Sequence, residues 1–258
     1  MAKNNELDML NGALLPKILM FSLPLALTGI LQLLFNAADV IVVGKFAGST
    51  SLAAVGATSA LVNLLTGAFI GISVGVNILV ARYAGCRDDV RVERAVHSAI
   101  ALSLVLGVVT FLLGFFLSTP MLEWMDTPDD VLALASLYLR IYFIGIPGAL
   151  IYNFAAAILR AYGDTKRPLI FLAISGVLNV FLNLFFVIVC ELDVAGVAIA
   201  TVVSQYVAVV LILICLVRQE GPAKLKLREI RLHPDEALRM IQIGLPAGIQ
   251  SCMFSLSN

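Results

Sequence analysis

The sequence predicts an all-α, polytopic membrane bundle of six transmembrane helices plus a truncated seventh, on three observations. Hydrophobic residues make up 60% of the chain and charged residues 13%, about half the charged share of a soluble domain, so water is not its main solvent. The apolar residues fall in seven blocks free of Asp, Glu, Lys and Arg, at 18–38, 46–81, 95–122, 141–159, 168–190, 194–217 and 240–258. About 20 such residues cross a bilayer core of about 30 Å. No block alternates with period two, which excludes a transmembrane barrel, and a lipid core without water leaves helices to satisfy the backbone. Buried helices of a soluble protein would be shorter and would keep a polar stripe.

The expected spans run 18–43, 52–81, 95–117, 134–159, 168–190, 194–217 and 239–258. Net charge is zero, yet the charges are sorted. Lys3 and Lys17 precede the first span, Arg82, Arg87, Arg91 and Arg94 follow the second, Arg160, Lys166 and Arg167 follow the fourth, and six basic residues between Arg218 and Arg239 follow the sixth. The alternate loops hold Lys45 alone, then Glu123, Asp126, Asp129 and Asp130, then Glu191 and Asp193. The positive-inside rule therefore predicts a cytoplasmic amino terminus and a cytoplasmic segment after span six, and helix parity agrees. The first fifteen residues carry Glu6 and Asp8 and lack a basic n-region and a small-residue cleavage site, so span one is expected to be retained, in a plasma (inner) membrane. Cys86, Cys190, Cys215 and Cys252 show no metal or disulfide spacing and read as small apolar fillers.

Residues 1–217 are expected to form an amino-terminal six-helix lobe, 218–238 an inter-lobe linker containing Gly221, Pro222 and Pro234, and 239–258 the truncated first helix of a second lobe. A repeat supports this division. Ser22-Leu23-Pro24 is followed by Asn36, and Gly244-Leu245-Pro246 by Asn258 at the same interval, both after a basic flank, as in two parallel halves. The 258 residues are thus expected to stop inside the second repeat.

Asp39 is the one acidic residue within an apolar span. A carboxylate in the membrane costs about 2.5 kcal/mol or more at the centre and normally marks an ion or proton pathway. At about 1.5 Å per residue, Asp39 lies about 6 Å or slightly more below the outer end of span one, and Asn183 and Thr201 about 10 Å below those of spans five and six. Asn179 is one turn from Asn183 on one face, and Asn36 shares a face with Asp39. Carboxylate, carboxamide and hydroxyl oxygens make a cage for a hard cation such as sodium, and Asp39 alone suits a proton. The bland reading of the asparagines is hydrogen bonding between helices. Pro24 removes a backbone hydrogen bond and permits a kink in span one. Arg140, the one basic residue inside a span, is expected either to reach the acidic outer loop or to pair with Asp39. Gly67, Gly71 and Gly75 predict close approach of a neighbouring helix to span two, His97 an interfacial position and Trp124 an interface anchor.

Ser22-Leu23-Pro24 with Asn36 and Asp39, then Gly44-Lys45-Phe46 and Leu52-Ala53-Ala54-Val55-Gly56, resembles the start of multidrug and toxic compound extrusion (MATE) exporters. Arg160-Ala161-Tyr162-Gly163-Asp164-Thr165-Lys166-Arg167-Pro168 after span four is similar too, as is Gly196-Val197-Ala198-Ile199-Ala200-Thr201 with Ser204-Gln205 in span six. The resemblance covers essentially the whole chain. It implies half of a twelve-helix, two-lobe transporter that exports small amphipathic organic cations against inward sodium ions or protons, without a cofactor. It also implies a cation site near Asp39, Tyr138, Asn179, Asn183 and Thr201, a lipid bilayer and the missing carboxy-terminal lobe as partners, and no nucleic acid. Many members carry an Asp where this chain has Asn183, so its site holds one formal charge.

Three other classes fit less well. A membrane enzyme would need clustered catalytic groups, and the adjacent Asp88 and Asp89 sit among arginines as a solvated loop. A related lipid flippase shares the two-lobe plan but would want a basic cavity, and within the spans of this lobe the chain offers Arg140 alone. A structural or assembly subunit is the reading if the 258 residues act on their own.

Overall fold

The computed structural model describes residues 14–257, with side chains over 15–253. Expectations placed on Lys3, Glu6, Asp8 and Asn258 lie outside the described residues. Seven long helices follow one another: α1 Leu14–Val42, α2 Gly48–Gly85, α3 Asp89–Trp124, α4 Asp129–Ala161, α5 Lys166–Leu184, α6 Asp193–Val217 and α7 Pro234–Ser257. Two wide π-turns, Val43–Ala47 and Phe185–Val189, prolong α1 and α5, and a short 3₁₀ turn, Leu227–Glu229, lies between α6 and α7. The helices overrun the charge-free blocks because their amphipathic ends continue into the interface, as α3 does from Asp89 to Trp124. Trp124 ends that helix 80% exposed.

Among the described residues, five continuous helical stretches are long and apolar enough to cross a membrane, and the first, Leu15–Gly85, contains both α1 and α2. The break falls at Gly48, whose φ of 88° is open to a residue without Cβ. α7 is not one of the five; Asp235, Glu236 and Arg239 occupy its first two turns.

Lipid-facing surfaces are apolar, and the interior is built from smaller or more polar groups. On α3, Leu104, Val105, Val108, Val109, Leu112, Leu113 and Phe116 are exposed, whereas Ala99, Ser103, Gly107, Gly114 and Ser118 are buried. Such an outward apolar face would not be stable in water and is solvated by acyl chains. The protein is therefore in contact with a bilayer as a multi-pass membrane protein. α4 is the central helix, packed against α2, α3 and α6, with Leu139, Phe143, Ile146, Leu150 and Phe154 all buried. Polar ties cross between helices: Asn77 Nδ2 donates to the Ala157 carbonyl at 3.0 Å and the Tyr206 hydroxyl to the Ile144 carbonyl at 2.8 Å.

The corner between α4 and α5 explains the charged motif there. Asp164 is fully buried; one carboxylate oxygen accepts the Arg167 backbone N–H at 3.1 Å and the other pairs with the Arg167 Nε. Arg167 Nη1 reaches on to Gln219 Oε1 at 3.1 Å and Cys215 Sγ at 3.3 Å, tying the start of α5 to the end of α6. The Tyr152 hydroxyl donates to the Pro168 carbonyl at 2.7 Å from α4. All four cysteines are free; Cys86 and Cys190 are exposed at helix ends, not fillers.

α7 lies along α2, and the glycines of span two are the reason. A Cβ on Gly71 would stand 2.1 Å from Gly248 Cα, and one on Gly75 2.1 Å from the Met240 carbonyl oxygen, so the two backbones touch with no side chain between them. Below this seam the Tyr83 hydroxyl donates to Glu236 Oε2 at 2.8 Å and accepts from Arg239 Nη1 at 2.9 Å. His97 is 2% exposed, held within the fold: its Nδ1 meets the Glu93 carbonyl at 2.7 Å and its Nε2 accepts the Lys226 backbone N–H at 3.2 Å.

Two substitutions test this packing in the detergent-solubilised full-length protein. Gly71→Leu overpacks the seam and is expected to destabilise by about 1–3 kcal/mol, read as a lower thermal midpoint. Asp164→Ala strands a partly buried guanidinium and is expected to cost more, about 3–5 kcal/mol. A midpoint equal to wild type for either would mean that the corresponding contact is not formed.

Candidate functional site

The site grows from the contact between α1 and α5. α1 rests chiefly on α5, and the Phe35 ring lies on Gly176, where a Cβ would fall 1.9 Å from the ring. Asp39 is one turn beyond Phe35 and Asn183 two turns beyond Gly176, so this ring-on-glycine fit sets the two polar side chains opposite each other. The pattern is local geometry: a shared face repeats every three or four residues.

A chain of polar contacts crosses three helices. Asn183 Nδ2 donates to Asp39 Oδ1 and, at 3.3 Å, to Asn179 Oδ1. Asn179 Nδ2 donates to Thr201 Oγ1 at 3.3 Å, and Thr201 Oγ1 donates to the Val197 carbonyl at 3.0 Å. Asn183 is fully buried, and with both amide hydrogens spent its Oδ1 is a buried acceptor without a partner among the described residues. An unmet acceptor beside a carboxylate suits a group that accepts lone pairs, and a hard cation is such a group. Among the described residues no three His, Cys, Asp or Glu side chains cluster as metal ligands, so the donor set is one carboxylate with neutral oxygens.

Two adjoining pockets of about 170 and 180 Å³ open on this chain, and Asp39, Asn36 and Thr201 line both. Tyr138 is buried, lines the first and stacks on Tyr142 with ring centroids 6.2 Å apart. Asn36 is exposed on the cavity side one turn before Asp39.

Two residues that the sequence placed in supporting roles stand apart. Pro24 is buried in α1, about four turns before Asp39, and lines neither pocket. Arg140 reaches neither Asp39 nor the acidic loop: its Nε donates to Ser118 Oγ and its Nη2 to Thr119 Oγ1, each at 3.1 Å, on α3. Two residues past Tyr138, it points to another side of α4, because each helical residue turns about 100°.

The cavity also contains residues that sequence reasoning passed over: Thr58, Ser59 and Asn63 on α2, Tyr142 on α4 and Gln205 on α6. Tyr142 and Gln205 carried a signal, since each lies four residues beyond a residue already singled out, Tyr138 and Thr201. Asn63 was visible as a carboxamide in an apolar block, but Thr58 and Ser59 are common in membrane helices and carried none.

Comparison with known proteins gives a consistent picture. The MatE family model matches residues 24–185. The Probable multidrug resistance protein YpnP of Bacillus subtilis strain 168 is 31% identical over 246 residues, covering 94% of this chain and 54% of that protein. An outward-facing multidrug resistance MATE family transporter of the MOP superfamily superposes with a TM-score of 0.86 at 26% identity, over 93% of this chain and 53% of that one. A MATE protein in the bent conformation superposes with a TM-score of 0.83 at 27% identity, over 90% of this chain and 52% of that one. The chain spans about half the length of the curated relatives it matches. With its bundle of membrane helices, its family match through most of that bundle and its similarity to solved transporters, this chain belongs to the MatE family of membrane transporters, which are not enzymes.

Proposed function

We propose that this chain is the amino-terminal part of a multidrug exporter of the plasma membrane, driven by sodium ions or protons and working by alternating access. In this reading residues 1–217 are one six-helix lobe with a cytoplasmic amino terminus, 218–238 the linker and 239–258 the start of the second lobe. The observation that carries it is the Asp39–Asn183–Asn179–Thr201 chain with its unpartnered Asn183 oxygen, placed beside a cavity. Small amphipathic organic cations are the substrates in this reading, and the relatives named for multidrug resistance and multidrug export support drug-like cargo in general.

The chemistry follows from the single charge. Without a cation, Asp39 is held by the Asn183 N–H. A sodium ion or proton takes over that task, and a half-turn of the Asn183 carboxamide brings its free oxygen toward the carboxylate. Asn179 and Thr201 supply further oxygens to sodium, and Tyr138 closes the wall. Exchange at Asp39 then biases α1, whose backbone lacks the hydrogen bond that Pro24 cannot donate. A lipid flippase is disfavoured because neither pocket is lined by Arg or Lys.

The test uses the full-length protein in proteoliposomes, with efflux of a fluorescent organic cation driven by an imposed sodium or proton gradient. Asp39→Asn is expected to reduce gradient-driven efflux by roughly tenfold or more, within the range of coupling between two sites. Efflux that ignores both gradients in the wild type, or that survives Asp39→Asn undiminished, would sink the coupling role. Asn183→Asp, which sets a second carboxylate beside the first, is expected to lower the half-saturating concentration of the coupling ion by about fivefold or more. An unchanged or higher concentration would place Asn183 outside the ion's coordination.

A further inference from the structure

Where α3 begins, at the end of the bundle away from Asp39, an open pocket of about 530 Å³ lies between the first turns of that helix and the segment joining α6 to α7. The segment is pinned, not loose. Besides the His97 contact to the Lys226 backbone, Ser98 Oγ accepts the His233 backbone N–H at 3.1 Å and pairs with Nδ1 of the same ring at 3.0 Å. Both histidines of the protein are thus spent on holding this wall against α3.

Four cationic side chains, Arg94, Lys226, Arg228 and Arg231, face the pocket against two carboxylates, Glu93 and Glu229. Lys226 takes both carboxylates, with Nζ at 2.6 Å from Glu93 Oε1 and 3.2 Å from Glu229 Oε2. Those contacts, Glu93 first, push its pKa above the ordinary lysine value. Among the described residues no carboxylate pairs with the three guanidinium groups. Three exposed guanidinium groups thus line one pocket without a carboxylate of their own, and the guanidinium fork matches phosphate oxygens in pairs.

The surroundings say which anion. Arg94 immediately precedes the charge-free block 95–122, which sets the pocket at headgroup level. Beside the arginines, Val90 and Leu227 are 63% and 62% exposed, and Leu232 is 44% exposed. Large exposed apolar side chains beside arginines suit a surface that rests in the bilayer interface. A soluble anion would have no use for them.

We propose that this pocket binds the phosphate of an anionic phospholipid headgroup, held by Arg94, Arg228 and Arg231, with Val90, Leu227 and Leu232 resting in the interfacial zone of the same leaflet. The charge sorting assigns that leaflet to the cytoplasmic side, where anionic lipids attract basic residues. The lipid would anchor the segment between α6 and α7 to the membrane, and its binding does not depend on which ion drives export or on whether Asp39 couples it.

The full-length protein in a neutral detergent is titrated by calorimetry with dihexanoyl phosphatidylglycerol, dihexanoyl phosphatidylcholine and inorganic phosphate. Phosphatidylglycerol is expected to bind roughly tenfold or more tightly than either of the others, and its affinity to fall as sodium chloride is raised. The triple variant Arg94→Gln, Arg228→Gln, Arg231→Gln is expected to weaken it by roughly tenfold or more, while Arg218→Gln with Lys224→Gln, on the same segment outside the pocket, changes it less than about twofold. Equal affinity for the two lipids, or an unchanged triple variant, overturns the proposal, and phosphate binding as tightly as phosphatidylglycerol overturns the lipid as its ligand. If the triple variant does not fold, the wild-type salt series decides: salt-independent binding overturns the proposal.

Discussion

A carboxylate inside the apolar thickness of a bilayer has to be met by donors from neighbouring helices, and here Asp39 is met by Asn183. α1 has few other ties. It rests chiefly on α5, and Leu19, Leu23, Leu33 and Leu34 are exposed along it. The Asp39 contact and the Phe35 ring on Gly176 are therefore what registers α1 on the bundle. A change in what satisfies the carboxylate is felt first by the helix with the least packing to resist it.

Registration of α5 has its own origin at the other end. Asp164 and Arg167 lock the start of α5, and the same guanidinium reaches Gln219 at the end of α6. With its base fixed to α4 and α6, α5 carries Asn179 and Asn183 at a defined height and face. The charged corner after span four, which looks like a simple basic loop, thus supports the polar chain through a rigid helix. The two π-turns, Val43–Ala47 and Phe185–Val189, follow just beyond Asp39 and Asn183 and touch each other. They mark the places where both helices depart from regular winding next to the site.

Much of this was legible because the bilayer removes alternatives. Helices were the only way to satisfy the backbone, and a rise of about 1.5 Å per residue was enough to put Asp39, Asn183 and Thr201 at one level. Azimuth was less accessible. In a helix that is apolar all round, nothing in composition distinguishes the lipid side from the interior, so Arg140 was left between the acidic outer loop and Asp39 when it meets α3 instead, and Tyr142, Asn63 and Gln205 were passed over as cavity residues. The segment between α6 and α7 was harder still. His97 was read from its position next to Arg94, but its environment is made by Lys226, 129 residues away, and only the folded chain brings them together. The π-turns left no trace in residue type.

The seam between α2 and α7 has a mechanical consequence. Helices that interlock through side chains must withdraw knobs from holes before they can shift, and each withdrawal passes through strained rotamers. Gly71 and Gly75 meet Gly248 and the Met240 carbonyl with bare backbone. Such a surface works as a bearing: small rotations or slides of one helix along the other break no interdigitation, while the close approach still confines motion to that line. Any sliding of α7 along α2 is guided by glycines that carry no chemistry at all.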